Sequence, residues 1–237
     1  MPLTRDAIVA AALELLRAEG LEGLTLRRLA ADLGVSAPTL YWHLDNKRHL
    51  MDLVADALLA ELGPVDVGRA KNQPWWRWLR QRSVSMFEAL VATRDGPRVL
   101  AGNRPSPQTW PEIDQVLGRL VGVGFTPAQA QQSLFAIGAY VIGSAVEWQA
   151  EAARATEGPP DDIGAAIDDG RFPHLASSIR AIAAEPPEAT FAYGLDLLID
   201  GMRARLARPA GSAGGHSTAS PADAGLDEVV DLAVEHR

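Results

Sequence analysis

Apolar side chains recur three and four residues apart almost from end to end of this chain, and no useful stretch alternates apolar with polar. Ile8, Ala11, Ala12 and Leu15 form one row, Leu26, Leu29, Ala30 and Leu33 a second, and Leu50, Leu53, Val54, Ala57 and Leu58 a third. A period near 3.6 gathers each row on one helical face, whereas a half-buried strand needs a period of two. The fold class that follows is all-α, with four helices in the N-terminal third. The same spacing returns in Leu79, Ser83, Met86 and Leu90, in Leu134, Ile137, Gly138 and Val141, and in Leu195, Leu198, Ile199 and Met202. Helix starts are legible as well. Thr126-Pro127-Ala128-Gln129 joins a capping box to a proline at the first helical position, and Thr109 with Glu112 makes a second box. They predict helices near 110–123 and 127–153.

Three stretches break the pattern: Gly63 to Pro74, Ala155 to Asp162 with its Pro159-Pro160 pair, and everything after Arg208. The first reads as a domain boundary. The last has the composition of a flexible linker ending in a short acidic segment. With 47% hydrophobic residues in 237, the chain has apolar material for one large domain or two small ones. The charge-free stretch Pro127 to Val146 is interrupted by Gln129, Gln131, Gln132 and Ser144, which leaves an apolar part from Leu134 too short to span a bilayer, so no membrane partner is expected. The N-terminus lacks a signal-peptide pattern and the chain has no cysteine, both of which point to a reducing cytoplasm. Its 22 basic against 30 acidic residues exclude coating of nucleic acid by bulk charge. Residues 1–50, however, carry equal numbers of acids and bases, so DNA binding there has to be local and geometric.

The segment from Thr25 to Leu44 reads as helix, turn, helix. Thr25 caps a first helix, Gly34 ends it in the left-handed conformation, and Ser36 caps a short second helix with Pro38 in its first turn. Val35, Leu40 and Leu44 supply the inward positions, which leaves Thr39, Tyr41, Trp42 and His43 outward. Such a unit fits a major groove, its second helix offering N-terminal residues to base edges, with Arg27 and Lys47 flanking it for phosphate or base contacts. A helical hairpin with a glycine turn is equally a packing motif; the three outward rings are what favour DNA.

At this point the chain resembles the tetracycline-repressor (TetR) family of bacterial regulators, in LTLRRLAADLGVSAPTLYWHLDNKRHLMDLV and again in RDGPRVLAGNRP, GFTPAQA and GSAVEWQ. The resemblance spans about residues 4–206. It implies an all-helical homodimer with a three-helix helix-turn-helix head over 1–46. A linking helix over 47–62 opens a ligand-binding and dimerising body that runs to 207, and 208–237 form a flexible tail. It implies operator DNA and a small-molecule effector as partners, with no cofactor. Head-domain contact positions match Arg27, Pro38, Thr39, Tyr41, Trp42, His43 and Lys47, whereas Leu26 and Ala37 depart from polar residues and point to a different operator. In the body the resemblance places the ligand site at Arg82, Met86, Leu100, Asn103, Arg104 and Pro105, and further along at Ile113, Val116, Leu134, Gly138 and Glu147. Leu100 stands where the tetracycline repressors have a magnesium-binding histidine, and Pro64, Arg82 and Val116 replace polar residues that grip the drug. Leucine cannot ligate a hard cation, so neither magnesium nor tetracycline is expected in the complex.

The remaining candidates each carry two readings. Arg82, beside Met86 in an apolar row, suits an acceptor or acidic end on a mainly hydrophobic ligand, with Asn103 as a second anchor; alternatively it pairs with Glu88 or another acidic residue. Trp75, Trp76 and Trp78 cannot all face inward, and one or two cover the junction of head and body. Trp110, Phe135, Tyr140 and Trp148 line a cavity or pack in the core. Gly138, Gly143, Ser144, Gly194 and Gly201 allow close helix approach, between subunits or within one. The segment Arg94 to Pro105 either moves or merely closes the body. No GxSxG, GxxxxGK[ST] or HExxH occurs, and His43, His49, His174, His216 and His236 share no ligand spacing, so neither an enzyme nor a metal site is expected. A protein-binding helical adaptor and a cofactor-free helical enzyme are the alternatives to a repressor.

Overall fold

The computed structural model describes residues 3–63, 73–157, 167 and 170–207, and every regular element among them is a helix. In chain order these are α1 (Arg5–Gly23), α2 (Leu26–Asp32), α3 (Ala37–Leu40), α4 (Lys47–Ala60) and α5 (Trp75–Ala92). They continue with α6 (Gly96–Leu100), α7 (Trp110–Gly122), α8 (Pro127–Glu157), α9 (Pro173–Ala183) and α10 (Ala189–Ala207). The described residues up to Leu206 pack as one unit. The tail after Arg208 and residues 64–72 of the boundary expected between Gly63 and Pro74 lie outside the described residues. Among the described residues no helix is long and apolar enough to cross a membrane.

The first four helices close around Ile8, Leu16, Leu24, Leu29, Leu40, Leu44, Leu50 and Val54, all fully buried. Each such side chain contributes about 1.5–3 kcal/mol on leaving water, which outweighs the low intrinsic stability of helices as short as α2 and α3. Side chains cap the starts: Thr4, Thr25 and Asn46 accept from the amides of Ala7, Arg28 and His49 at 3.2, 3.1 and 2.9 Å. Gly34, at φ +66°, ends α2 as expected.

Beyond them, α5 lies along α8, and an aromatic stack joins both to α10. Phe87 lies 3.9 Å from Phe191 at 12°, with Tyr140 stacked on the other face of the row and Trp148 edge-on to Phe87. Tyr140 also fills the space over Gly194, where an added Cβ would sit 2.1 Å from the ring hydroxyl, so this glycine serves packing within one subunit. The three tryptophans at the start of α5 have ring partners of their own. Trp75 packs edge-on to Phe125, and the guanidinium groups of Arg119 and Arg203 lie over Trp78 and Trp76 at 4.4 and 4.8 Å. The Thr126–Gln129 box forms in both directions, at 3.0 and 3.2 Å. The Thr109–Glu112 box does not, because the Thr109 hydroxyl donates to the Ser106 carbonyl at 2.9 Å and the Glu112 amide takes the Thr109 carbonyl instead.

The segment around α6 ties the first helices to the rest. Asp95 adopts the left-handed conformation at φ +56° and accepts from the Leu21 amide at 2.8 Å, just after α1 breaks at Gly20. Gly20 has φ +79°, and a Cβ there would lie 2.6 Å from the Asp95 carboxylate, so only glycine fits. Burial works to raise the Asp95 pKa, but the Leu21 amide and Arg98 outweigh it and hold the carboxyl below its ordinary value. After α6 the chain turns at Gly102, whose carbonyl accepts from Arg48. The amides of Arg104 and Ser106 then donate to Asp52 and Asp56 of α4 at 3.2 and 3.1 Å.

Gln149 of α8 closes the far end of α5. Its side-chain amide lies 2.8–3.2 Å from the carbonyls of Leu90, Val91 and Thr93, of which Leu90 and Thr93 also accept from the amides of Thr93 and Gly96. Gln149→Ala should therefore lower unfolding stability by about 1–3 kcal/mol in urea or thermal denaturation. An unchanged midpoint would show that the Val91 carbonyl finds a partner without it.

Candidate functional site

Two surfaces follow from this arrangement. The first is the outer face of α2 and α3. Leu40 and Leu44 are fully buried, while Tyr41 and Trp42 are 56% and 87% exposed. Arg27, Pro38 and Lys47 are exposed too, with Ala37, Thr39 and His43 half-buried. All eight residues singled out in the sequence are thus solvent-accessible, six of them in the stretch from Ala37 to His43, with Arg27 on α2 and Lys47 at the start of α4. Two details differ from expectation. The helix ends at Leu40, and Tyr41 to His43 continue it as tight turns whose amides reach back three residues, at 2.9–3.3 Å. The Ser36 hydroxyl pairs with the Thr39 hydroxyl at 2.8 Å and not with a backbone amide. Arg28 is held by Glu19 and Asp32, whereas no carboxylate among the described residues engages Arg27 or Lys47. Two cations are thereby left available on a face that otherwise offers hydroxyls and rings.

The second surface is a cavity of about 890 Å³ bounded by α1, α4, α5, the loop before α7, α7 and α8. This volume matches drug-sized organic ligands. Its walls are mainly apolar, with Val9 and Leu13 from α1, Leu53 and Ala57 from α4, Leu79 and Met86 from α5, Ile113 and Val116 from α7, and Leu134, Phe135 and Ile137 from α8. Of the residues the sequence assigned to a ligand, Arg82, Met86, Pro105, Ile113, Val116, Leu134 and Gly138 line it. The other four lie elsewhere. Leu100 is buried in the core, and Asn103 turns its amide onto the carbonyls of Val99 and Met51. Arg104 is exposed, and Glu147 is exposed about two and a half turns beyond Gly138 along α8. Phe135, 70% exposed, stands at the rim; Trp110, Tyr140 and Trp148 do not line the cavity.

Arg82 pairs with Glu112 across the wall at 3.6 Å, so the acidic partner of the alternative reading is Glu112 rather than Glu88. Burial lowers its pKa from the ordinary arginine value and Glu112 offsets part of that. The wall cation is therefore already answered by a carboxylate. Ser83 is satisfied within α5, its hydroxyl donating to the Leu79 carbonyl at 2.8 Å. Sequence reasoning missed the contribution of α1 (Arg5, Asp6, Val9, Ala10 and Leu13) and of Asp56, Ala57 and Ala60 on α4. The available signal was a second apolar row, Val9 and Leu13, beside the row that α1 buries among its own neighbours. Among the described residues no three of His, Cys, Asp and Glu come together as a metal site.

Comparison with known proteins matches both surfaces to one group. Residues 8–54 match the model of the bacterial regulatory proteins of the tetR family, and residues 69–206 match that of the tetracyclin repressor-like C-terminal domain. The class C tetracycline repressor protein of Escherichia coli is 37% identical over 201 residues, which cover 84% of this chain and 90% of that protein. A TetR variant from Acinetobacter baumannii, solved with minocycline, is 33% identical at a TM-score of 0.66, covering 87% of this chain and all of that one. ActR of Streptomyces coelicolor, solved with actinorhodin, is 26% identical at a TM-score of 0.71, covering 88% of this chain and 100% of that one.

The face assignment has a direct check in stability. Tyr41→Ala and Trp42→Ala should change the unfolding free energy by no more than about 0.5 kcal/mol. Leu40→Ala, one residue away, should cost about 2–5 kcal/mol. Comparable losses in denaturant titrations of all three would place the rings in the core.

Proposed function

The chain belongs to the tetracycline-repressor family of bacterial transcriptional regulators, and from that premise we propose how it reads DNA and what it responds to. It is a ligand-responsive repressor that acts as a homodimer on operator DNA, and it is not an enzyme. In our reading, residues 1–46 are the DNA-binding head, 47–62 the linking helix, the remainder to 207 the ligand-binding and dimerising body, and 208–237 a tail. Arg27, Ala37, Pro38, Thr39, Tyr41, Trp42, His43 and Lys47 face the operator, with Arg27 and Lys47 at the phosphates and the rings at base edges. Dimer symmetry sets two heads on half-sites in successive major grooves, so the operator is two-fold symmetric. A chain of this composition, without cysteine, works in the cytoplasm.

The effector is a mainly hydrophobic organic molecule held in the 890 Å³ cavity. Relatives solved with minocycline and actinorhodin support an effector of that kind. Magnesium does not fit the site, because the position of the family's metal-binding histidine is a leucine buried in the core and the cavity wall brings no three ligating side chains together. One observation carries the reading: α1 and α4 form part of the same cavity wall as α5, α7 and α8. A ligand there touches the head, the linking helix and the body at once. It releases DNA only by preferring the form whose head spacing mismatches the operator, since equal affinity for both forms shifts nothing.

Gel shift and footprinting test both halves. Tyr41→Ala and Lys47→Ala should each weaken operator binding about tenfold or more, equivalent to about 1.4 kcal/mol, with the melting temperature unchanged. The footprint should show two related half-sites; a single asymmetric patch would refute the dimeric reading. Tetracycline should release the operator no better with magnesium than without it, and tight magnesium-dependent release would overturn the assignment of the substituted site.

A further inference from the structure

The charges around the cavity do not balance, and the imbalance is confined to the end facing α1 and α4. At the opposite end Arg82 and Glu112 answer one another at 3.6 Å. At the near end Glu61 is held by both oxygens against Arg17, at 2.6 and 2.7 Å. Arg5 and Asp6 at the start of α1 are both exposed to solvent and add no net charge between them. Asp56 is left over. It is half-buried on the wall, accepts one neutral amide from Ser106 at 3.1 Å, and has no cation within ion-pair distance among the described residues. Asp52, one turn earlier on α4, differs in having Arg48 at 3.5 Å.

A half-buried carboxylate with one amide donor keeps unfilled acceptor capacity next to apolar surface, where a charge is poorly solvated. A ligand cation placed there gains a charge-assisted hydrogen bond under partial desolvation, the condition in which such bonds are strongest. An anion meets the uncompensated Asp56, and finds Arg82 already occupied.

We propose that the cavity selects an effector carrying a protonated amine, its ammonium seated against Asp56 at the α1–α4 end and its apolar body lying along α5, α7 and α8. This deepens the effector reading above and rests on it. The polar end of the ligand then sits on the wall formed by the head and linking helix, and its hydrophobic part on the body.

The test uses the full-length protein and two fluorescent probes of equal length that differ in charge: dansylcadaverine, with a terminal amine, and N-dansyl-6-aminohexanoic acid, with a terminal carboxylate. Titration followed by dansyl emission should show the amine bound at least tenfold more tightly. Asp56→Asn should bring the two within about threefold, while leaving an oxygen to accept from the Ser106 amide so that the loop is kept. Arg82→Gln, which strips Glu112 of its partner, should widen the preference for the amine; under an anion-anchoring role for Arg82 it would instead weaken the acid alone. Equal or tighter binding of the acid, or a preference that survives Asp56→Asn, overturns the proposal. Gly138→Phe, at a glycine of the wall where an added Cβ meets nothing within 4 Å, should block both probes. Blocked binding without charge preference sinks the amine and leaves the cavity standing; no binding of either probe to the parent sinks both.

Discussion

Backbone amides that no helix can satisfy hold this molecule together at its most consequential seam. Leu21, Arg104 and Ser106 each present an N–H where the chain has left helical geometry, and Asp95, Asp52 and Asp56 accept them. A half-buried amide such as that of Leu21 or Ser106 costs about 1–3 kcal/mol without an acceptor, so these carboxylates help fix where α1 and α4 come to rest. The cavity exists because of that placement. It is the space left between two elements hung on carboxylate–amide bonds and a body packed by aromatic stacking.

The two kinds of joint respond differently to force. The contact of Phe87 with Phe191, and of α5 with α8, is broad and apolar, and it tolerates little change in spacing. The carboxylate–amide joints are few, directional and close to water. A ligand pressing outward from the cavity meets the weaker set first. In the proposed reading, binding shifts the seat of α4 against a body that stays rigid, which suits a repressor whose two heads must match the operator spacing.

How much of this is legible in the sequence depends on the range of the interaction. Thr25, Gly34 and the Thr126–Gln129 box are read correctly because caps and left-handed turns are decided within four residues. The Thr109–Glu112 box has the right letters, yet Ser106 captures the Thr109 hydroxyl and Arg82, thirty positions away in sequence, draws the Glu112 carboxylate. Asn103 has the chemistry of a ligand anchor but is consumed by carbonyls of its own turn and of α4. The part played by α1 in the cavity wall leaves only a second apolar row, Val9 and Leu13, which looks like ordinary core until the body is set against it. The outer face of the helix-turn-helix is legible for the opposite reason: Leu40 and Leu44 fill the inward positions, and geometry sends the rings outward.

The break at Gly20 leaves the Leu21 amide dependent on one side chain of another element. Such an N–H exchanges with solvent hydrogen at a rate set by how often α1 and α6 part, and hardly by the global stability of the fold. Leu21 is therefore a built-in isotopic clock for the seam. Its protection factor, followed residue by residue in deuterated water, measures the free energy of lifting the first helix off the body, in the free protein and on DNA alike.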